Sequence, residues 1–283
     1  MISLFYDKHD LRHSKKLRDE RFTWLTELGV TELSEAAADA TGFLFGYEHG
    51  EEQYRSLVAD RPNLRDRPDE RRELVRLDHV LQRLAMQGVE LPTPKTWILG
   101  IDDAPPHDLQ FPVFVRTPKS SWKRGGSQSR ASNLRQLSDE IELLRRAFGW
   151  DTTILARQWI DAAAAGKWMF GDAPQEIRVW IVDGAPVAWS FHYLHVVPTP
   201  AGFPPAAEDL SLLADLAAKI GAVFRSRLIA ADFLRDRGGR WHFLEAGPGA
   251  ASGTAHETVF KFVAEKLRNR QTVLHADAVG GPL

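Results

Sequence analysis

LIAADFLRDRGGRWHFLEAGPG, residues 228–249, consists of two apolar runs around Gly238-Gly239, the pattern of a β-hairpin. A two-residue turn at the glycines pairs Arg237 with Arg240 and Asp236 with Trp241, and so outward until Asp232 lies opposite Glu245. Opposed residues of an antiparallel pair have Cβ atoms roughly 5 Å apart, where like charges repel. A cation between them removes the conflict. Magnesium, a hard ion that takes one or two carboxylates together with phosphate oxygens, suits such a position. The alternatives are that both acids project into solvent or that the register slips by one. Asp232 stands in an apolar strand and Glu245 between WHFL and a glycine turn, which sets both at the edge of buried structure.

Before this hairpin comes a second one. Glu176–Val182 and Ala185–Tyr193 alternate around Asp183-Gly184, a strong two-residue turn signal. Alternation puts Glu176, Arg178, Trp180 and Val182 on one face and Ile177, Val179 and Ile181 on the other. Arg178 can therefore pair with Glu176 or face a ligand. Between the hairpins, Leu213, Leu216, Ile220 and Val223 mark a helix, and Thr258–Arg268 reads as the last one. His192 and His195 face opposite sides of a strand and make a poor metal pair; packing or surface roles are expected for them. His242 faces away from Asp232 and Glu245 by the same alternation, and His256 and Glu257 open the last helix.

Further upstream, Pro68 starts a helix whose stripe runs Leu74, Leu77, Leu81, Leu84 until Gly88. GVELPTPKTWIL leads into a strand, and FPVFVR forms another that delivers Arg116 to a basic loop. RTPKSSWKRGGSQSR, residues 116–130, holds five positive charges, and no acid occurs from Leu109 through Ser138. The loop is either a phosphate cradle or a solvated basic surface. It contains no Walker pattern and no G-x-G-x-x-G. Lys119, Arg124 and Arg130 read as solvated or substrate-facing, and Trp122 as a loop anchor. Asn133 with Gln136 forms a capping arrangement for a helix striped by Leu134, Leu137, Ile141, Leu144 and Phe148. TTILARQWI reads as a strand, and DAAAAGKW as a loop. Residues 1–67 form a separate N-terminal region, with a strand at Ile2–Tyr6, a helix at Lys15–Leu28, and a charged linker at Arg61–Pro68.

The chain of 283 residues carries a formal net charge of −2, which argues against a general nucleic-acid or membrane-surface binder. It has no cysteine, so thiolate zinc sites and cysteine nucleophiles are excluded. No signal peptide or membrane span is evident, and a cytoplasmic protein is expected.

The ordered set of motifs resembles the ATP-grasp fold of carboxylate-amine ligases from about Pro68 to about Arg268. The resemblance is to a divergent branch, with Arg116 at the usual phosphate-binding lysine. It implies an α+β fold of two lobes with mainly antiparallel sheets clasping a nucleotide, an ATP-grasp domain over 68–283, and a small N-terminal α/β region with substrate contacts. It further implies that Arg116 and Lys123 contact phosphates, with Gly125, Gly126 and Ser127 supplying backbone amides. The segment containing Arg157, Gln158, Trp159 and Ile160 would line the adenine, Arg178 would face the transferred phosphate, and Asp232 and Glu245 would hold Mg2+. One position departs from the pattern: Gly247 stands where the family's Glu-x-Asn motif has asparagine, so one ion rather than two is expected. The implied activity is ATP- and magnesium-dependent joining of a carboxylate to an amine through an acyl phosphate, on a small molecule, peptide or protein. The alternative is an assembly factor or adaptor that binds ATP without ligase turnover; an RNA-binding module built on the basic loop has less support.

Overall fold

In the computed structural model, residues 3–6, 29–45, 51–59, 61–64, 66–100, 104–119, 129–168, 171–192, 197–198, 205–249, 252 and 257–268 are described. Apolar residues of the N-terminal region pair as parallel strands, with β1 (Ser3–Tyr6) between β2 (Thr31–Glu32) and β3 (Gly42–Phe45). Helix α1 (Glu51–Ala59) closes a small core in which Tyr54 and Val58 meet Phe5, Leu44 and Leu64. The helix read over Lys15–Leu28 lies outside the described residues.

The leucine stripe that begins at Leu74 is divided between two helices, α2 (Pro68–Val75) and α3 (Leu77–Met86). Arg76 between them is extended (φ −119°, ψ 121°), and the Leu77 amide donates to Pro118 O at 2.9 Å. A long-range backbone bond thus interrupts a pattern that was continuous in sequence. Strands β4 (Thr96–Leu99), β5 (Val113–Arg116), β6 (Arg130–Ala131) and β7 (Ile154–Gln158) form an antiparallel sheet in the order β4-β7-β5-β6. Helix α4 (Leu134–Phe148) packs on it through Leu137 and Leu144. Its cap is reciprocal: Gln136 N donates to Asn133 Oδ1 at 3.0 Å, and Ser132 N donates to Gln136 Oε1 at 2.7 Å.

Residues 164–168, read as part of a loop because alanine and glycine favour neither face of a sheet, form β8 (Ala164–Trp168). Pairing with β9 (Gly171–Pro174) outweighs their weak strand preference. The hairpin of β10 (Glu176–Val182) and β11 (Ala185–Phe191) turns at Asp183 (φ 51°) and Gly184 (φ 84°), the positive angles a primed turn requires. Strand β12 (Val197–Pro198) joins β8 on its other edge. After α5 (Ala207–Gly221), strands β13 (Leu228–Arg235) and β14 (Trp241–Pro248) complete a four-stranded sheet, β11-β10-β13-β14, and α6 (Glu257–Arg268) follows. Ile177, Val179 and Ile181 face α5, whereas Trp180 and Val182 share a core with Val259, Val263 and Leu267 of α6 and with Leu4 and Phe43. No helix among the described residues is long and apolar enough to cross a membrane.

The β13–β14 hairpin corrects the expected turn. Asp236 N donates to Arg240 O and Gly239 N to Asp236 O, so three residues, not two, make the bend, and Leu234 pairs with His242. That register is off by one residue from the expected one. A β-bulge at Leu244 then shifts it back, and Asp232 pairs with Glu245. The two offsets cancel.

The Arg61–Pro68 segment buries Leu64 and Asp66. Burial pushes the Asp66 carboxyl up to about 6, against the pull of Arg71. Ser226 Oγ lies 2.9 Å from Asp66 Oδ1 and 3.0 Å from Leu228 O, and its single proton cannot serve both acceptors. A protonated Asp66 completes the chain by donating to Ser226. Since the ordinary value is 3.8, the folded state binds more protons than the unfolded one between about pH 4 and 6. This group's contribution to stability therefore improves as pH falls through that window and is unfavourable above it. Asp66→Asn, which keeps a donor to Ser226 without the charge, is expected to raise the unfolding free energy by about 1–3 kcal/mol at pH 7.5. Urea denaturation should show the gain fading by pH 4; an equal gain at both pH values would exclude the carboxyl as its source.

Candidate functional site

Cross-strand register builds one charged row across the second sheet. Ser190 of β11 pairs with Arg178 of β10, Arg178 with Asp232 of β13, and Asp232 with Glu245 of β14. Arg178 grips Asp232 through two parallel bonds, Nε to Oδ1 and Nη2 to Oδ2, both 2.8 Å. Glu245 is met from the other sheet: Arg116, the last residue of β5, donates Nη1 to its Oε2 at 2.5 Å. The opposed carboxylates are thus flanked by guanidinium groups, one at each end. The cation that their pairing requires is, in this state, arginine.

Burial alone would push Asp232 upward, but Arg178 and His192 hold its carboxyl far below the usual range. Glu245 is likewise held low, with Arg116 outweighing burial and the repulsion of Asp232. The two acids differ in access: 3% of the Asp232 side chain is exposed and 32% of that of Glu245. His192 Nδ1 lies 3.2 Å from Asp232 Oδ2 and 3.6 Å from Glu176 Oε1. Burial opposes a charged imidazole here, yet the two carboxylates win and raise its pKa. Arg178 Nη2 and His192 Nδ1, 3.0 Å apart, thus converge on one carboxylate oxygen. Glu176, His192 and Asp232 could together ligate an ion by spacing alone, but the Arg178 guanidinium already sits in that cluster.

Arg157 of β7 makes a second crossing between the sheets. Its Nη1 donates at 2.7 Å to the carbonyl of Leu244, the bulge residue beside Glu245, while Nε and Nη2 donate to Thr96 and Thr93 hydroxyls at 3.1 Å. Burial, reinforced by Arg116, lowers its pKa to about 9, so it stays charged at neutral pH.

Two cavities open on this row. One, of about 500 Å3, is lined by Arg157, Gln158, Trp159, Ile160, Phe114 and Leu234 among others, with Arg116 and Glu245 also in the lining. The other, of about 920 Å3, reaches Arg116, Glu245, Arg178 and Asp232 and extends between α2 and the start of the basic loop. Both cavities share Arg116 and Glu245.

Of the residues singled out in the sequence, Arg116, Arg178, Asp232 and Glu245 converge, and Arg157, Gln158, Trp159 and Ile160 line the smaller cavity. Lys123, Gly125, Gly126 and Ser127 lie outside the described residues, as do Trp122, Arg124, His195 and His256. Arg130 is exposed, with its guanidinium 4.9 Å from the centre of the Trp159 ring, and Lys119 is exposed at the larger cavity. Arg178 pairs with Asp232, and Glu176 adds a further favourable charge beside it. His192 belongs to the site, which alternation alone did not indicate. Symmetric pairing about Asp183-Gly184 sets His192 opposite Gln175; a bulge at Trp180/Ile181 moves it to Glu176. His242 is also re-aimed by a bulge, and bonds Asp236 Oδ2 at 2.8 Å.

Comparison with known proteins gives a consistent family. The family model that matches, over residues 94–267, is an ATP-grasp domain, family 3 of its clade. Among solved structures, a RimK domain ATP-grasp protein from Sphaerobacter thermophilus superposes with a TM-score of 0.60 at 13% identity, over 94% of this chain and 98% of that one. The D-alanine–D-alanine ligase from Bacillus anthracis gives 0.60 at 14% identity, over 95% and 99%. The same ligase complexed with ATP gives 0.58 at 16%, over 95% and 99%. These likenesses show the fold. No curated protein matches the sequence.

The Arg178–Asp232 pair generates a direct test. Removing one partner strands a buried charge, so Arg178→Met is expected to cost about 3–5 kcal/mol, whereas Arg178→Met with Asp232→Leu should recover most of that. A double-mutant cycle in urea measures the coupling, and a single-variant loss below about 1 kcal/mol would contradict the pairing.

Proposed function

Because the chain belongs to the ATP-grasp superfamily, in the clade family whose domain it matches, we propose that it is an ATP- and magnesium-dependent ligase joining a carboxylate to an amine. The observation that carries this reading is the row Arg178–Asp232–Glu245–Arg116 with two cavities that meet it at Arg116 and Glu245. The smaller cavity would take the nucleotide base. The Gln158 and Trp159 amides are already bonded to Lys95 O and Pro112 O, which makes Ile160 the amide assigned to the adenine edge. The larger cavity would take the acid. Lys123, Gly125, Gly126 and Ser127 keep their assignment to the phosphates on the family resemblance.

In the proposed reaction a carboxylate oxygen attacks the γ-phosphorus, and the bond to the β,γ-bridging oxygen breaks with its electron pair leaving on ADP. The amine nitrogen then attacks the acyl carbon of the resulting acyl phosphate. The carbon–oxygen bond to phosphate breaks, inorganic phosphate departs, and the nitrogen loses its proton to solvent. Arg116 and Arg178 would neutralise the transferring phosphoryl group, which is positioning and electrostatics rather than proton chemistry. Asp232 and Glu245, hard oxygen donors on adjacent strands, fit one Mg2+ ion, whose charge would offset that of the triphosphate. Gly247 offers no side-chain oxygen as a third ligand.

The arginine–carboxylate pairs imply an exchange of partners. Phosphates arriving without metal would leave Glu245 uncompensated and Asp232 with His192 alone, and metal without phosphate would leave two guanidinium groups uncompensated. Mg2+ and ATP together satisfy all four. Calorimetry should therefore show Mg2+ tightening ATP binding at least about tenfold, equivalent to 1.4 kcal/mol, with Asp232→Asn or Glu245→Gln erasing the metal-dependent part. Nucleotide affinity indifferent to both metal and these changes would sink the assignment. Release of ADP and phosphate only when an acid and an amine are both present supports the ligase; tight binding without such release supports the adaptor reading. A Cβ built at Gly247 meets nothing within 4 Å, so Gly247→Asn should fold and strengthen Mg2+-dependent nucleotide binding. Unchanged metal dependence in that variant would show that position 247 lies out of reach of the ion.

A further inference from the structure

Asp232 is approached by Arg178 and His192, and these line different cavities. Arg178 reaches it from the neighbouring strand through two bonds of 2.8 Å, and His192 Nδ1 lies 3.2 Å from Oδ2, the oxygen that also accepts from Arg178 Nη2. Arg178 and Asp232 line the larger cavity, whereas His192 and Glu176 line the smaller one. A ligand that draws Arg178 from the larger side would therefore leave His192 in place.

The sheet fixes this arrangement. Ser190 pairs with Arg178, and the His192 amide donates to Glu176 O at 3.1 Å, so residue 192 shares a face with Glu176 and Arg178. Glu176 is buried, and its Oε1 lies 3.6 Å from His192 Nδ1. Two carboxylate oxygens facing one ring nitrogen assign a proton to it, which makes Nδ1 a donor to Asp232. The Asp232 side chain is 3% exposed, so a carboxylate there that lost its partners would find little water. In the resting state Arg178 covers the loss of His192; once Arg178 faces a phosphate, it no longer does.

We propose that His192 is a positioning residue that holds the Asp232 carboxylate while Arg178 passes to the phosphates, so that the nucleotide can enter before the ion. This rests on the exchange of partners proposed above. The imidazole acts through Asp232 and not on the nucleotide. Its hydrogen bond is worth most where Asp232 has neither Arg178 nor metal, and least where Mg2+ compensates the same carboxylate. Losing His192 should therefore weaken nucleotide binding without metal and enlarge the Mg2+ effect, the reverse of what loss of a metal ligand would do.

Three substitutions separate the donor from the bulk of the ring. His192→Asn keeps an amide nitrogen at the Nδ1 position, His192→Gln moves it to that of Nε2, and His192→Leu removes it. Calorimetric titration of the full chain with a non-hydrolysable ATP analogue, in EDTA and in Mg2+, reads the two affinities. His192→Leu and His192→Gln are expected to lower the metal-free affinity at least about tenfold, the worth of one hydrogen bond to a charged group, and the affinity in Mg2+ less than about threefold. His192→Asn should stay within about threefold of the unaltered chain in both. Thermal melts establish folding, and where the leucine variant does not fold the comparison of Asn with Gln decides. Unchanged metal-free affinity in the glutamine variant overturns the proposal. So does an equal fall with and without Mg2+, which would set the imidazole against the nucleotide, and so does a fall confined to Mg2+, which would make it a support of the ion. Absence of any Mg2+ effect on the unaltered chain instead removes the exchange itself, and this role of His192 with it.

Discussion

Two carboxylates on adjacent strands of a buried sheet are the constraint around which this molecule is organised. Asp232 and Glu245 occupy neighbouring positions where like charges repel; Asp232 is buried away from water, and Glu245 is only partly exposed to it. Relief comes from arginine on both sides, and the sources of the two differ. Arg178 is a neighbour in the same sheet, so its pairing with Asp232 stabilises one lobe internally. Arg116 belongs to the other sheet, so its pairing with Glu245 holds the two lobes together. The local electrostatic requirement is thereby also a tertiary restraint.

Arg157 extends the same logic to the backbone. A β-bulge disturbs ladder pairing near the extra residue, here Leu244. Its carbonyl accepts from Arg157, itself anchored by Thr93 and Thr96. The bulge that restores the Asp232–Glu245 pairing is therefore supported by a cation from the opposite sheet. Removing the bulge would restore regular pairing near the turn, and with it move Glu245 away from Asp232. Geometry that looks like an irregularity of the hairpin is what brings the acids into one row.

Much of this was legible in the sequence because turn chemistry and alternation are local properties. Asp183-Gly184, the capped helix from Leu134, and the two-faced strand Glu176–Val182 each follow from residue type and spacing. What escaped depended on strand pairing and backbone bonds that residue type and spacing do not mark. The split of the helix at Arg76 requires Pro118, and the strand at 164–168 requires β9. His192 enters the site only through a bulge whose position no residue pattern marks. The Asp232–Glu245 pairing itself was reached by an incorrect turn, since a longer bend and a bulge shift the register in opposite senses. The resemblance of the motif order to a known fold was robust to such errors because it rests on element order and residue identity rather than on exact register.

Arginine at position 116 can be understood from the same row. Its Nε donates to Thr117 O at 3.1 Å and Nη1 to Glu245, which fixes the guanidinium plane and leaves Nη2 without a partner among the described residues. A planar fork with five donors can retain one anchor while exchanging another partner, and it stays charged when buried. Lysine presents a single ammonium on a flexible stem and has no separate Nε donor to keep its head in place. In the proposed exchange, where a carboxylate passes to a metal as a phosphate is gained, the anchored fork would change partners with little movement. Arginine at position 116 thus suits a site in which cations and acids already neutralise one another.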